Sequence, residues 1–172
     1  WKPCIPKEFD ENHSIWDEIK KQDLMLHTPY ESFEPVVKMI NEAAIDPKVL
    51  AIKITLYRTS GNSPIVKALE LAARNGKQVT VFIELKARFD EKQNIEWATR
   101  LQNAGVIVIY GIVNLKLHAK MMMIVRKEDN EILRYVHLST GNYNENTAKL
   151  YSDISIFTAE PEIANDATLF FN

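Results

Sequence analysis

Between residues 49 and 111 three apolar runs alternate with two amphipathic stretches, and this rhythm constrains the fold more than anything else in the chain. "VLAIKITLY" (49–57), "QVTVFIEL" (78–85) and "VIVIYG" (106–111) are short, rich in β-branched residues and bounded by turn residues, so they read as strands. "SPIVKALELAARNG" (63–76) opens with proline just after serine and stops on Asn-Gly, which are helix start and stop signals. "DEKQNIEWATRLQNAG" (90–105) has Asp at its start and Gly at its end and reads as a second helix. Strand–helix–strand–helix–strand with short links implies parallel strands and right-handed crossovers. Runs this continuously apolar predict strands covered on both faces.

The flanking segments extend the pattern. "PYESFEPVVKMINEAAID" carries helical spacing at Phe33, Val36, Val37, Ile40, Ala43 and Ala44. "LKLHAKMMMIVR" and "EILRYVHLST" read as two strands joined by the charged turn "KEDN", "LYSDISIFT" as one more, and "AEPEIANDATLFFN" as an opening helix. The expected architecture is α/β, a mixed β-sheet with helices on both faces. Residues 1–28 show no clear period, apart from a short helical reading of "SIWDEIKKQDLM", and are assigned to a lead-in; residues 29–172 form the domain.

Composition narrows the function. The chain of 172 residues is 46% hydrophobic and carries a net charge of −2, so it can fill a core but is no polycation. An anionic partner must be met by a local cluster, and nucleic acid is not expected as one. A single cysteine, Cys4, cannot form an internal disulfide, which fits a reducing, cytoplasmic setting. No apolar run approaches the roughly 20 residues that span a bilayer. The chain starts at Trp1 without a methionine and stops inside a helical pattern, so it reads as a piece of a longer protein.

In open α/β sheets ligands bind beyond the carboxyl ends of the strands. After the first strand come Tyr57, Arg58 and Thr59; after the second, Lys86, Ala87 and Arg88. Arginine grips phosphate oxygens with a planar fork and lysine adds a point charge, so cations at two consecutive strand ends suggest a phosphate site. Pairing with Glu84, Asp90 and Glu91 is the alternative. If 115–125 is a strand, Lys116, His118 and Lys120 share one face, and Leu117, Ala119, Met121, Met123 and Val125 form an apolar core face opposite. Two flanking cations favour a neutral imidazole, which is a nucleophile, and a lysine can balance the charge of a transferred phosphoryl group. A solvated strand face is the alternative here. "STGNYN" (139–144) is a strand end followed by a glycine turn, which aims backbone N–H groups and the amides of Asn142 and Asn144 at an anion, though such turns are common, and "NENTAKL" (144–150) is expected to open a short helix whose N-terminus adds to this. His137 reads as structural, and His13 and His27 receive no role.

Taken together, H-x-K at 118–120 followed by G-N-x-N at 141–144 resembles a half-site of the phospholipase D superfamily. The chain resembles more closely the long, phospholipase D-like polyphosphate kinase family. "HTPYESF" (27–33), "IKITLYRTS" (52–60), "ELKARFDE" (84–91), "LKLHAK" (115–120) and "STGNYNENTAKLYSD" (139–153) look like that family's motifs, in order. The resemblance implies a phospholipase D-like half and a reversible transfer of the ATP γ-phosphate to polyphosphate. It implies that His118 is the autophosphorylated residue with Lys120 beside it, and that Tyr151, Asn142 and Asn144 contact the nucleotide and phosphates. It implies that Arg58 and Arg88 bind Mg²⁺ together with the phosphates; since arginine lacks a free lone pair, they are expected to hold the oxygens that carry the ion. ATP/ADP and inorganic polyphosphate are the implied partners, with a homo-oligomer and peripheral membrane association admitted for the full-length protein. The hydrolytic phospholipase D motif has an acidic residue where this chain has Val125, which argues against phosphodiester cleavage. The family's second histidine and N-terminal domain are not in these residues, so the chain alone is expected to fold without activity. A phosphodiesterase or nuclease half, and a polyanion-binding domain without chemistry, are the competing expectations.

Overall fold

The computed structural model describes residues 2–9, 13–57, 62–84, 91–111 and 115–172. In chain order these form α1 (Ile15–Lys21), β1 (Leu24–Thr28), α2 (Glu34–Ile45), β2 (Val49–Leu56), α3 (Pro64–Arg74), β3 (Gln78–Ile83), α4 (Glu91–Asn103) and β4 (Ile107–Tyr110). They continue with β5 (Lys120–Glu128), β6 (Glu131–Ser139), β7 (Asp153–Thr158) and α5 (Pro161–Phe171). The seven strands make one sheet in the order β1-β7-β6-β5-β2-β3-β4. β2, β3 and β4 run parallel, and every other neighbouring pair is antiparallel. The sheet is mixed, as the sequence predicts.

Local chemistry accounts for the element ends. The Ser63 hydroxyl accepts from the Val66 N–H and caps α3 ahead of Pro64. Past its other end Gly76 takes φ 80°, a conformation that glycine adopts without steric cost. β5 and β6 close through Asp129-Asn130, between the paired Glu128 and Glu131, with Asp129 at φ 49°.

Helices cover both faces, unequally. α1 to α4 pack on one side, where Ile15, Trp16, Met39, Leu69 and Leu101 meet Ile52, Ile54, Met122 and Ile124 in the main core. On the other side Ala164, Ala167 and Phe171 of α5 pack against Met123 and Val136. Each of these large buried side chains contributes about 1.5–3 kcal/mol through removal of apolar surface from water. No helix among the described residues is long and apolar enough to cross a membrane.

Four expectations change. The assigned lead-in is partly inside the fold: β1 pairs with β7, and Ile15, Trp16 and Ile19 of α1 lie in the main core. β4 is an edge strand with Ile107, Ile109 and Tyr110 exposed, so only β2 and β3 fit the fully covered reading. "NENTAKL" forms only a single 3₁₀ turn, Thr147–Lys149. β5 begins at Lys120 rather than at Leu115, and its two faces are both buried, Met122 and Ile124 on one and Met123 on the other.

Candidate active site

Strand direction brings the motifs to one edge. β2 and β3 are parallel, so Tyr57 and Glu84 follow their carboxyl ends side by side. β5 runs antiparallel to β2, which puts its first residue, Lys120, at that same edge. β6 returns there and ends at Ser139, directly opposite Lys120, and Ser139 in turn faces Ser155 of β7. H-x-K and G-N-x-N, distant in sequence, thus emerge from neighbouring strand ends.

His118 is exposed, in the extended segment 115–119 that precedes β5, while Lys120 is buried. The expected common face of Lys116, His118 and Lys120 is therefore not a strand face, and Lys116 is exposed beside an apolar groove formed with Tyr110, Leu115 and Phe170. The Lys120 ammonium lies 3.0 Å from Nδ1 and 3.2 Å from Nε2 of His118, and donates to the His118 carbonyl at 2.7 Å. Near-equal distances to both ring nitrogens place the cation over the imidazole's face, outside the plane of either lone pair. The Tyr57 and His118 rings make a T-shaped contact, centroids 5.3 Å apart, and the Tyr57 ring lies 5.5 Å from the ammonium. Burial lowers the Lys120 pKa, and the charge of Asp153 opposes that shift.

Two side chains tie down the His118 segment. The buried Glu84 accepts from the Leu117 N–H through Oε2 at 3.0 Å. Thr55 in β2 donates to the Ala119 carbonyl at 2.7 Å and accepts from the Met121 N–H at 3.0 Å. Sequence reasoning missed the role of both here.

The G-N-x-N turn is held from several sides. Thr140 donates to Asp153 at 2.8 Å, and the Gly141 N–H donates to the Ser139 hydroxyl at 2.9 Å. The Asn144 Oδ1 accepts from the N–H groups of Asn146 and Thr147 at 2.9 and 3.2 Å, so this oxygen holds the turn rather than facing a ligand. Asn142 Oδ1 is buried without a hydrogen-bond partner among the described residues, so this oxygen is available to accept from a donor. Tyr143 plunges between them into the core, its hydroxyl 2.9 Å from His137 Nδ1. His137 is fully buried and its pKa falls to about 3 for that reason, which agrees with a structural role. Tyr151 is 62% exposed at the surface before β7.

Arg58 and Arg88 lie outside the described residues. Among the described residues no group of three or more His, Cys, Asp or Glu side chains could hold a metal ion. The described carboxylates at the site, Glu84 and Asp153, are engaged by the Leu117 N–H and the Thr140 hydroxyl, so the described residues alone do not form a cage for Mg²⁺, which takes carboxylate and water oxygens.

The profile of the polyphosphate kinase C-terminal domain 1 matches residues 14–172. The chain belongs to this family. It is 58% identical over 170 residues to the polyphosphate kinase of Exiguobacterium sibiricum, covering 99% of this chain and 24% of that protein. The chain thus spans about a quarter of the length of the curated polyphosphate kinases it matches. The crystal structure of polyphosphate kinase from Porphyromonas gingivalis superposes with a TM-score of 0.87 at 40% identity, over 99% of this chain and 29% of that one. Nuc from Salmonella typhimurium, a phospholipase D family member, shares the fold at a TM-score of 0.66 and 17% identity, over 87% of this chain and 91% of that one. Polyphosphate kinase kinship and a phospholipase D-like fold therefore both hold, as the motifs imply.

Proposed function

We propose that this domain supplies the phosphoryl-carrying histidine of a polyphosphate kinase. The observation that carries this reading is an exposed His118 with the buried Lys120 ammonium against its ring face, at the edge where β2, β3, β5 and β6 converge. An in-plane lone pair of His118 attacks the γ-phosphorus of ATP. The new N–P bond forms as the bond to the bridging oxygen breaks, and ADP leaves with that oxygen. The phosphoryl group then passes from His118 to the terminal oxygen of a polyphosphate chain, and the sequence runs in reverse to make ATP. Lys120 is assigned to balance the charge of the transferred group, and the Asn142 side-chain NH2 to donate to one of its oxygens. Arg58 and Arg88 are assigned to the remaining phosphate oxygens from their motif positions. Mg²⁺ comes with the nucleotide, as part of the substrate.

Val125 supports a kinase over a phosphodiesterase. Its side chain packs against the apolar cluster of Met123, Val136 and α5, where an acidic group would lose its hydration. Because the chain spans a quarter of its relatives' length, the whole site is assigned to the longer protein, and the 172-residue chain alone is expected to show no turnover. The deciding experiment incubates the full-length protein with γ-labelled ATP. An acid-labile, base-stable label that disappears in His118→Ala is expected; no label, with cleavage of a phosphodiester instead, refutes the kinase reading.

A further inference from the structure

The two sides of β5 end differently. Against β6 it stays paired out to Lys120↔Ser139, but against β2 the backbone pairing stops at Ile54↔Met122. The next residue of β2, Thr55, is 1% exposed, and its side chain stands where the ladder would have continued. Its single hydroxyl receives the Met121 N–H and gives its proton to the Ala119 carbonyl, one bond on each side of Lys120. A bridge through a hydroxyl spans more width than a direct N–H to carbonyl bond, which accords with the end of the β2–β5 pairing at Ile54↔Met122. Both part-buried backbone groups are satisfied by the hydroxyl and lose these bonds without it.

We infer that Thr55 is a positioning residue: its hydroxyl is a wedge that holds β5 off β2 and fixes where His118 and Lys120 leave the sheet. The segment before it is anchored in the same sense by Glu84, through the Leu117 N–H. Among the described residues His118 itself has no strand partner on either side, so its location depends on these anchors. In Thr55→Val the shape is kept and both bonds are lost. The Ala119 and Met121 groups then recover partners by closing towards β2, which shifts His118 and Lys120. An in-line attack tolerates little displacement, and a 1 Å misplacement costs on the order of 10²-fold in rate.

This inference rests on His118 being the nucleophile proposed above, and two measurements on the full-length protein separate them. The first is single-turnover labelling by γ-labelled ATP. Thr55→Val is expected to label about 10²-fold more slowly with the KM for ATP nearly unchanged, and Thr55→Ser, which keeps the hydroxyl, to label close to the parent rate. A Ser variant as slow as the Val variant, or a Val variant as fast as the parent, overturns the wedge. The second is a crystal structure of Thr55→Val, with Thr55→Ala as substitute if the Val variant does not fold. A displaced His118 ring is expected, and an unmoved ring overturns the positioning role whatever the labelling shows. Absence of label in the parent protein counts against the phosphohistidine alone.

Discussion

His118 stands outside the strand that carries Lys120, and that offset decides how the two meet. On one strand face their side chains would point the same way in parallel. Here the lysine folds back over the face of the imidazole, outside the plane of its lone pairs. Lys120→Gln removes the cation and is expected to slow phosphoryl transfer about 10²–10³-fold, measured by single-turnover labelling in the full-length protein. Because burial lowers the Lys120 pKa, its charge is lost as pH rises through a value below the ordinary lysine figure of about 10.4. The labelling rate is expected to fall along that alkaline limb, and the limb to vanish in Lys120→Gln. Much of the site at this scale is legible in the letters: H-x-K and G-N-x-N name His118, Lys120 and Asn142. Thr55 is not, because a hydroxyl in an apolar strand reads as filler until the ladder beside it is seen to stop.

At the level of elements, what was legible followed burial. β2 and β3 are continuous apolar runs because both faces are covered, and such runs announce themselves. β1 went unread because five residues of alternating burial, "LMLHT", carry too short a signal, and its pairing partner β7 lies far along the chain. The alternation sets the start of β5 too early, because Leu117 and Ala119 carry it on where pairing has ended. The G-N-x-N turn shows how two elements constrain one another. A Cβ on Gly141 would stand 2.5 Å from the Asp153 Oδ2 and 2.9 Å from its Cβ at the start of β7. Gly141→Ala is therefore expected to push the turn off β7 and destabilise the fold by about 1–3 kcal/mol, read as a lowered Tm, with a lower labelling rate at His118.

Across the whole molecule the polar network lies at the end of the sheet away from the site. Glu128, at the far end of the β5–β6 hairpin, bonds to Lys20 of α1 at 2.7 Å, to Arg126 at 2.5 Å and to the Tyr135 hydroxyl, and Arg126 also bonds to Asp46 at 2.8 Å. Burial raises the Glu128 pKa, but the bonds from Lys20, Tyr135 and Arg126 outweigh it and bring it down to about 2. The unfolded carboxyl binds its proton near 4.5, so stability is present above that pH and is lost as pH falls towards 2. A shift of this size corresponds to on the order of 3 kcal/mol. His137 adds an earlier window: unfolded it takes a proton near 6.5, folded only near 3, so stability falls with pH across that range as well. Unfolding measured against pH is expected to show a decline beginning below 6.5 and steepening below 4.5. In Glu128→Gln the steeper part should be reduced while the earlier decline persists.

The β5–β6 hairpin also carries an arithmetic consequence. Lys120 and Ser139 face each other because the strands between them are equally long, counted back from the Asp129-Asn130 turn. Side chains alternate, so adding a single residue to each strand would keep the ends opposed but turn Lys120 to the wrong side of the sheet. The hairpin can lengthen only by matched pairs, with any odd remainder taken up in the turn. The distance in sequence between the two motifs is thus a quantised dimension of the fold, set by a bend at the opposite end of the molecule.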